Sequence, residues 1–258
     1  MRLFDRIFSI IRLRVGKYFF KTILFILNLK NLNKKKMLIF TDSRGFEVTD
    51  KSNRFNFINS YFIYLINKYK VTVKICPEKH TTLMDFIYYL TKNKNKFDLV
   101  LFNVGVVDFS PRPLSQIEGI FNKKKKKIEY FFDYDEFLKV NLRERKYLEE
   151  YFGEPTVNLY DIKYFKEKIV PLFTQFDNLW WINSNRVLEY WQGNYGKPRP
   201  KNMDIILQYD LLLKPAIKNV IDISNWSDSE IQYFTCDNIH FSFYGFLEIA
   251  KLLHKKGL

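Results

Sequence analysis

Leu38-Ile39-Phe40-Thr41-Asp42-Ser43-Arg44-Gly45 decides the fold of this chain. A short apolar run that ends in small polar residues reads as a buried strand entering a turn, and segments of the same kind recur downstream. Strands are expected at 37–41, 71–76, 98–103, 179–183 and 220–223, all short and rich in Val, Ile, Phe or Trp. Between them, 55–68, 82–92, 162–176 and 203–217 carry apolar residues at helical spacing, with Pro171 and Pro215 expected to bend or end their segments. Strands alternating with helices predict an α/β fold, a three-layer α/β/α sandwich around a parallel sheet of about five strands. Ser43 would stand at the carboxyl end of the first strand, the edge where open parallel sheets bind ligands.

Two connections exceed an ordinary crossover. Residues 110–160 carry Pro111-Arg112-Pro113, the lysine run 123–127 and the aromatic-acidic segment 130–136. Leaving from the end of the third strand, this insertion is expected to cover the active-site edge. Residues 186–202, with Trp191, Tyr195 and Pro198-Arg199-Pro200, follow the fourth strand and are expected to shape a pocket beside it.

The 258 residues suffice for one large core, and 47% hydrophobic composition with nine glycines and eight prolines excludes a disordered chain. The division expected is a basic amphipathic extension at 1–36 and one α/β domain at 37–258 with its insertion at about 110–160. A net charge of +14 points to an anionic partner. Without zinc-finger spacing or an RNA-binding signature, a membrane surface or a glycan is expected before sequence-specific nucleic acid. Lysine runs such as 123–127 ordinarily form solvated surface. Cys76 and Cys236 are too few for a disulfide framework and fit a reducing compartment, where each reads as a small apolar side chain.

In the extension, Phe4, Ile7, Phe8, Ile11, Val15 and Tyr18 recur at three- and four-residue spacing, with Arg2, Arg6, Arg14 and Lys17 off that stripe. Lys21 and Asn28 interrupt the apolar stretch that follows, so a bilayer-spanning segment is not expected, nor is a secretory signal peptide. Two readings stand. The helix lies on the inner face of an anionic membrane, reinforced by 34–36, with the protein cytoplasmic and peripheral, or it docks on its own domain or a partner.

Ser43 needs a base to become a nucleophile, and His240 in Asp237-Asn238-Ile239-His240 is the leading candidate. His80 falls beyond the second strand, and His254 sits in the basic end of the last helix. Asp237, three residues before His240, can lie beside it in a loop and fix its tautomer. Each has a structural alternative: Ser43 as a cap after the strand, and Asp237 as a cap before the last helix.

Asp42-Ser43 after the first strand, Gly105-Val106-Val107-Asp108 after the third and Asp237-x-x-His240 before the last helix together resemble the blocks of the SGNH (GDSL-type) hydrolase family. The resemblance spans roughly 37–253. It implies a flavodoxin-like sheet, a triad of Ser43, His240 and Asp237, and hydrolysis or transfer of O-acyl groups without metal or other cofactor. The run 103–113 is similar to a variant third block in SGNH-like proteins of bacterial surface-polysaccharide synthesis, which implies an acylated carbohydrate or lipid-linked glycan as substrate. Thr41 replaces the family's usual glycine, and Val107 occupies the position of an asparagine that supplies an oxyanion donor. Loss of one such donor lowers turnover by about 10²- to 10³-fold. Backbone amides near Ser43 and at 80–82, including Thr81, are expected to take over that role, with Asn103 a less favoured donor and Gly105 beside them.

Arg112, Trp191, Tyr195 and Arg199 suit substrate contact, since aromatic faces stack on sugars and guanidinium groups pair with carboxylates or phosphates, and equally suit loop anchoring. Asp108 is expected to be a structural carboxylate. Two rival functions remain. Asp133 and Asp135 have the spacing of a metal-binding Asp-x-Asp in a nucleotide-sugar glycosyltransferase, and loss of the oxyanion asparagine fits a noncatalytic scaffold.

Overall fold

The computed structural model describes residues 3–46 and 59–258, with the side chains of residues 3–14 and 17 outside that description. The chain runs through α1 (Leu3–Lys30), β1 (Lys36–Thr41), α2 (Ile63–Lys68), β2 (Lys70–Ile75), α3 (Leu83–Lys92), β3 (Leu99–Asn103) and the single-turn α4 (Val106–Phe109). The insertion holds β4 (Arg112–Pro113), α5 (Leu114–Ile128), α6 (Tyr134–Leu138), β5 (Glu150–Tyr151) and β6 (Glu154–Val157). After it come α7 (Ile162–Tyr164), β7 (Leu179–Ile182), α8 (Ile205–Leu213), β8 (Asn219–Ile221), α9 (Asp228–Phe234) and α10 (Phe243–Lys255).

β2, β1, β3, β7 and β8 pair in that order, all parallel. Counted along the chain this is the 2-1-3-4-5 order of the flavodoxin-like fold, whose ligand crevice opens where the order reverses, between β1 and β3. The expected sandwich is the fold observed. Side-chain alternation explains why the strands read as unbroken apolar runs. Leu38, Phe40, Val100, Phe102 and Trp181 enter one core, with residues of α3, α5 and α8. Met37, Ile39, Leu101 and Ile182 enter the other, with α2, α9 and α10. Phe102 stacks on Phe86 at 4.3 Å between centroids and lies parallel to Trp181 at 6.0 Å, so aromatic faces build the first core.

The helices depart from expectation where the backbone is interrupted. Segment 162–176 breaks into α7, a π turn at Phe165–Ile169 and a 3₁₀ turn at Val170–Leu172 that contains Pro171, which has no N–H to donate. Pro215 likewise ends α8 in a 3₁₀ turn, Lys214–Ala216. In 55–68 the helix begins only at Ile63, and the part before residue 59 lies outside the described residues.

The insertion is only partly the cover expected of it. α5 packs beside α3 and buries Ile117, Ile120, Phe121, Lys124 and Ile128, so it belongs to a core layer. The lysine run therefore is not uniformly solvated. Helical spacing turns Lys124 and Lys127 inward, where Lys124 meets Glu78 and Asp85 at 2.6 Å each and Lys127 meets Asp85 at 2.5 Å, while Lys123, Lys125 and Lys126 stay exposed. Burial works against the charge on Lys127, but the two carboxylates outweigh it and raise its pKa. The β5–β6 hairpin, extended by β4, reaches the second elaboration, where the Tyr151 hydroxyl donates to the Pro198 carbonyl at 2.8 Å.

At the open edge of the sheet, the Asn28 side chain donates to the Val71 carbonyl at 2.9 Å and accepts from the Val71 amide at 2.8 Å. Asn31 donates to the Ile66 and Tyr69 carbonyls. The Asn28 side chain thus occupies backbone groups that a bare β2 edge would offer to another strand, and Asn31 ties the end of α1 to α2. Of the two readings of the extension, docking on its own domain holds for this half of α1.

Candidate active site

β1 ends by delivering Asp42, Ser43 and Arg44 into a 3₁₀ turn at the mouth of the β1–β3 crevice. The Asp42 carboxylate accepts from the Arg44 amide at 2.9 Å and pairs with the Arg44 guanidinium at 3.1 Å, both side chains almost fully buried. Arg44 also donates to the Asn183 carbonyl at the end of β7, tying the turn across the sheet. Gly45 is required by space, because a Cβ there would lie 2.2 Å from Thr41 Cγ2. Ser43 is thereby held between two fixed neighbours. Arg44, which an exposed reading of a charged residue after a strand passes over, is the clamp.

The second half of the site is a tight loop between α9 and α10. Thr235 and Phe241 form an antiparallel bridge, and the Cys236 amide donates to the His240 carbonyl at 2.9 Å. Within the loop Asn238 takes the left-handed conformation, φ 72°, which asparagine tolerates. Its side chain accepts from the Leu188 amide and donates to the Leu188 and Trp191 carbonyls. The loop is therefore locked to residues 188–191, a job invisible in the spacing of Asp237 and His240.

These two pieces converge across 197 residues of sequence: Ser43 Oγ lies 2.9 Å from His240 Nε2. His240 Nδ1 lies 2.8 Å from Asp237 Oδ2, while Asp237 Oδ1 accepts from the amides of Ile239 and His240 at 3.1 and 2.8 Å. With Nδ1–H directed at the carboxylate, Nε2 carries the lone pair that faces the serine. Burial pushes the Asp237 carboxyl up, but the hydrogen bonds with His240 and the Arg199 charge outweigh it and hold it at about 2. Asp237 is therefore ionised at neutral pH. Arg199 Nη2 sits 3.3 Å from Asp237 Oδ2 and donates to the Asp237 carbonyl, and its guanidinium lies 3.9 Å above the Tyr195 ring. Arg199 holds the carboxylate, a role beyond the substrate contact or loop anchoring that sequence left equally open for it.

The remaining expected site residues divide. Tyr195 is on the rim, partly exposed beneath Arg199. Arg112 lies within electrostatic reach of Asp42, Tyr195 and Arg199, yet its Nε donates to the Val107 carbonyl at 2.8 Å and its Nη1 to Gln116, so it anchors the loop before α5. Trp191 packs on the second core, and its carbonyl is taken by Asn238. The Thr81 hydroxyl donates to the Glu78 carbonyl at 2.9 Å, and of the 80–82 amides expected for the oxyanion that of Thr82 is spent on Asp85 in the capping box of α3. Gly105 serves the backbone, with φ 130° and a carbonyl that accepts from the amides of Asp108 and Phe109. Asn103 turns away, donating to the Ile182 carbonyl at 2.9 Å. His80 is not part of the site, and burial with nearby Arg112 and lysine charge lowers it to about 4, which keeps it neutral.

Asp108 is the structural carboxyl expected. Fully buried, it accepts from the Leu83 amide and the Tyr160 hydroxyl, and burial raises it to about 8 despite those donors. Its folded pKa lies above the unfolded value of about 3.9, so its contribution to stability is complete below pH 4 and lost as pH rises toward 8. Urea midpoints of Asp108→Asn measured from pH 5 to 9 are expected to lack this decline. The stability difference from the parent chain changes by at most about 1.4 kcal/mol per pH unit. A constant difference across that range would contradict a buried neutral acid.

Asp133 Oδ1 accepts from the Glu136 amide at 2.8 Å as the N-cap of α6. This local role accounts for the residue, and no group of three potential metal-ligating side chains occurs among the described residues.

No protein-family model matches this chain, and no curated protein does. Similar solved structures include a lipase/acylhydrolase from Enterococcus faecalis, 14% identical with a TM-score of 0.48, covering 86% of this chain and 94% of that one. An acetyl xylan esterase is 11% identical with a TM-score of 0.48 over 86% and 100% of the two chains. A carbohydrate acetylesterase from Sinorhizobium meliloti is 12% identical with a TM-score of 0.44 over 86% and 98%.

Proposed function

We propose that this chain is a serine acyl esterase or O-acyltransferase, and the observation that carries the reading is the continuous relay Ser43 Oγ, His240 and Asp237 at 2.9 and 2.8 Å. Ser43 attacks an ester carbonyl as its proton passes to His240 Nε2, and the ionised Asp237 stabilises the imidazolium. Collapse of the tetrahedral intermediate breaks the ester C–O bond, His240 returns the proton to the leaving alcohol, and the acyl group remains on Ser43. Water or a sugar hydroxyl, deprotonated by His240, then takes the acyl group and frees the serine. With Val107 apolar and Asn103 committed elsewhere, main-chain amides supply the oxyanion donors. The intact relay favours catalysis over a noncatalytic scaffold.

The substrate class is an O-acylated glycan, free or lipid-linked, of the kind used in surface-polysaccharide synthesis. Tyr195 offers a partly exposed aromatic ring at the rim, held in place by Arg199 and suited to contact with a sugar.

The test is labelling by a serine-reactive fluorophosphonate together with release of acyl groups from an O-acetylated polysaccharide. Labelling of the parent chain that vanishes in Ser43→Ala and His240→Ala supports the reading, and equal labelling of all three proteins overturns it. For Arg199→Ala, kcat is expected to fall about tenfold with KM unchanged, since the carboxylate that orients His240 loses a partner. Arg199→Lys, which keeps a charge beside Asp237, is expected to recover most of that turnover. Parent turnover in Arg199→Ala would show that Arg199 only fills space.

A further inference from the structure

α1 has two faces, and the domain uses one. Phe20, Leu24 and Leu27 pack on the second core, Phe20 meets Phe62 edge-on at 6.2 Å, Asn28 binds the β2 edge at Val71, and Asn31, just past the helix, donates to the Ile66 carbonyl of α2. At roughly 100° per residue the four helical positions among these share one side of α1. Val15, Tyr18, Phe19, Phe25, Ile26 and Leu29 fall on the opposite side, each more than half exposed. Docking on the domain therefore does not satisfy the apolar face; it presents a stripe of large side chains along the outside of the molecule, where contiguous apolar surface marks an interaction site.

Charge selects the occupant. Residues 1–36 hold ten basic residues against one acidic. Lys21 lies beside the stripe with its ammonium 6.0 Å from the Tyr18 ring, and Lys30, Lys34 and Lys35 follow at its end. A second copy of α1 would bring like charges together, whereas an anionic surface neutralises them. No helix among the described residues is long and apolar enough to cross a bilayer, so the stripe suits a helix lying in the interface plane.

We propose that the outer face of α1 is a docking surface for an anionic lipid bilayer, with Phe25, Ile26 and Leu29 entering the headgroup boundary and the flanking lysines pairing with lipid phosphates. Because α1 is bonded to β2, and β1 is the next strand, docking through α1 holds the domain that carries Ser43 at the membrane surface. Resting on the esterase reading, this narrows the substrate to an acyl ester carried at the membrane surface.

The experiment is co-sedimentation of the full chain with vesicles of phosphatidylglycerol and phosphatidylcholine in equal parts, against phosphatidylcholine alone. Binding is expected on the anionic vesicles only, weakened about tenfold or more by Phe25→Glu with Leu29→Glu and also by the exposed pair Lys30→Glu with Lys34→Glu. Unchanged binding by both double variants, or equal binding of the parent to neutral vesicles, overturns the proposal. So does a parent that ignores vesicles but forms a dimer abolished by Phe25→Glu with Leu29→Glu, which would make the stripe an interface between copies. Hydrolysis of a small soluble ester, followed in the same variants, is expected to stay at the parent rate, so failure of the docking surface and failure of the esterase reading are read separately.

Discussion

Ser43→Ala is expected to lower kcat for a small soluble ester by about 10⁴- to 10⁶-fold while leaving the thermal midpoint nearly unchanged. The hydroxyl is the only atom removed, and it is the one facing His240 Nε2 at 2.9 Å. His240→Ala is expected to cost a comparable factor, because a serine hydroxyl without a base remains a poor nucleophile. The double variant should be no slower than either single one, since residues that act in one proton relay do not contribute additively. KM should hold in all three, because no substrate contact is lost. A Ser43→Ala protein that keeps a tenth of the parent turnover, or a double variant whose loss is the product of the single losses, would place the chemistry elsewhere.

This relay was legible in sequence for a local reason. A nucleophile at the end of an apolar strand and a base just before a terminal helix are each fixed by neighbours within a few residues, and strand order alone then brings the two ends together. The alternation of Met37 and Ile39 against Leu38 and Phe40 between two cores was legible in the same way, as an unbroken apolar run.

What could not be read depends on long-range partners. Lys124 and Lys127 look solvated until α5 lies against Asp85 and Glu78. Arg199 reads equally as a substrate contact or a loop anchor until residue 237 arrives beside it. Asn28 read as an interruption of an apolar stretch, whereas it closes the sheet edge at Val71. In each case a polar residue acquires its meaning from a backbone or charge that the fold supplies from far away.

The second large effect follows from such a partner. Arg44→Met is expected to destabilise the protein by about 3–5 kcal/mol, read as a drop in the urea midpoint at constant slope. The guanidinium contacts both oxygens of Asp42 through Nε and Nη2 at 3.1–3.3 Å, and both side chains are cut off from water. Removing the cation leaves a buried carboxylate with one remaining donor in the turn, the Arg44 amide. Asp42→Asn in the same background removes the stranded charge, so Asp42→Asn/Arg44→Met should be more stable than the sum of the two single losses predicts. Turnover should not recover with stability. The Arg44 link to the Asn183 carbonyl is missing in the double variant, and with it the tie that holds Ser43 at hydrogen-bond distance from His240. Strictly additive losses would mean that the pair is decorative and that the 3₁₀ turn keeps its shape from Gly45 and Thr41 packing alone.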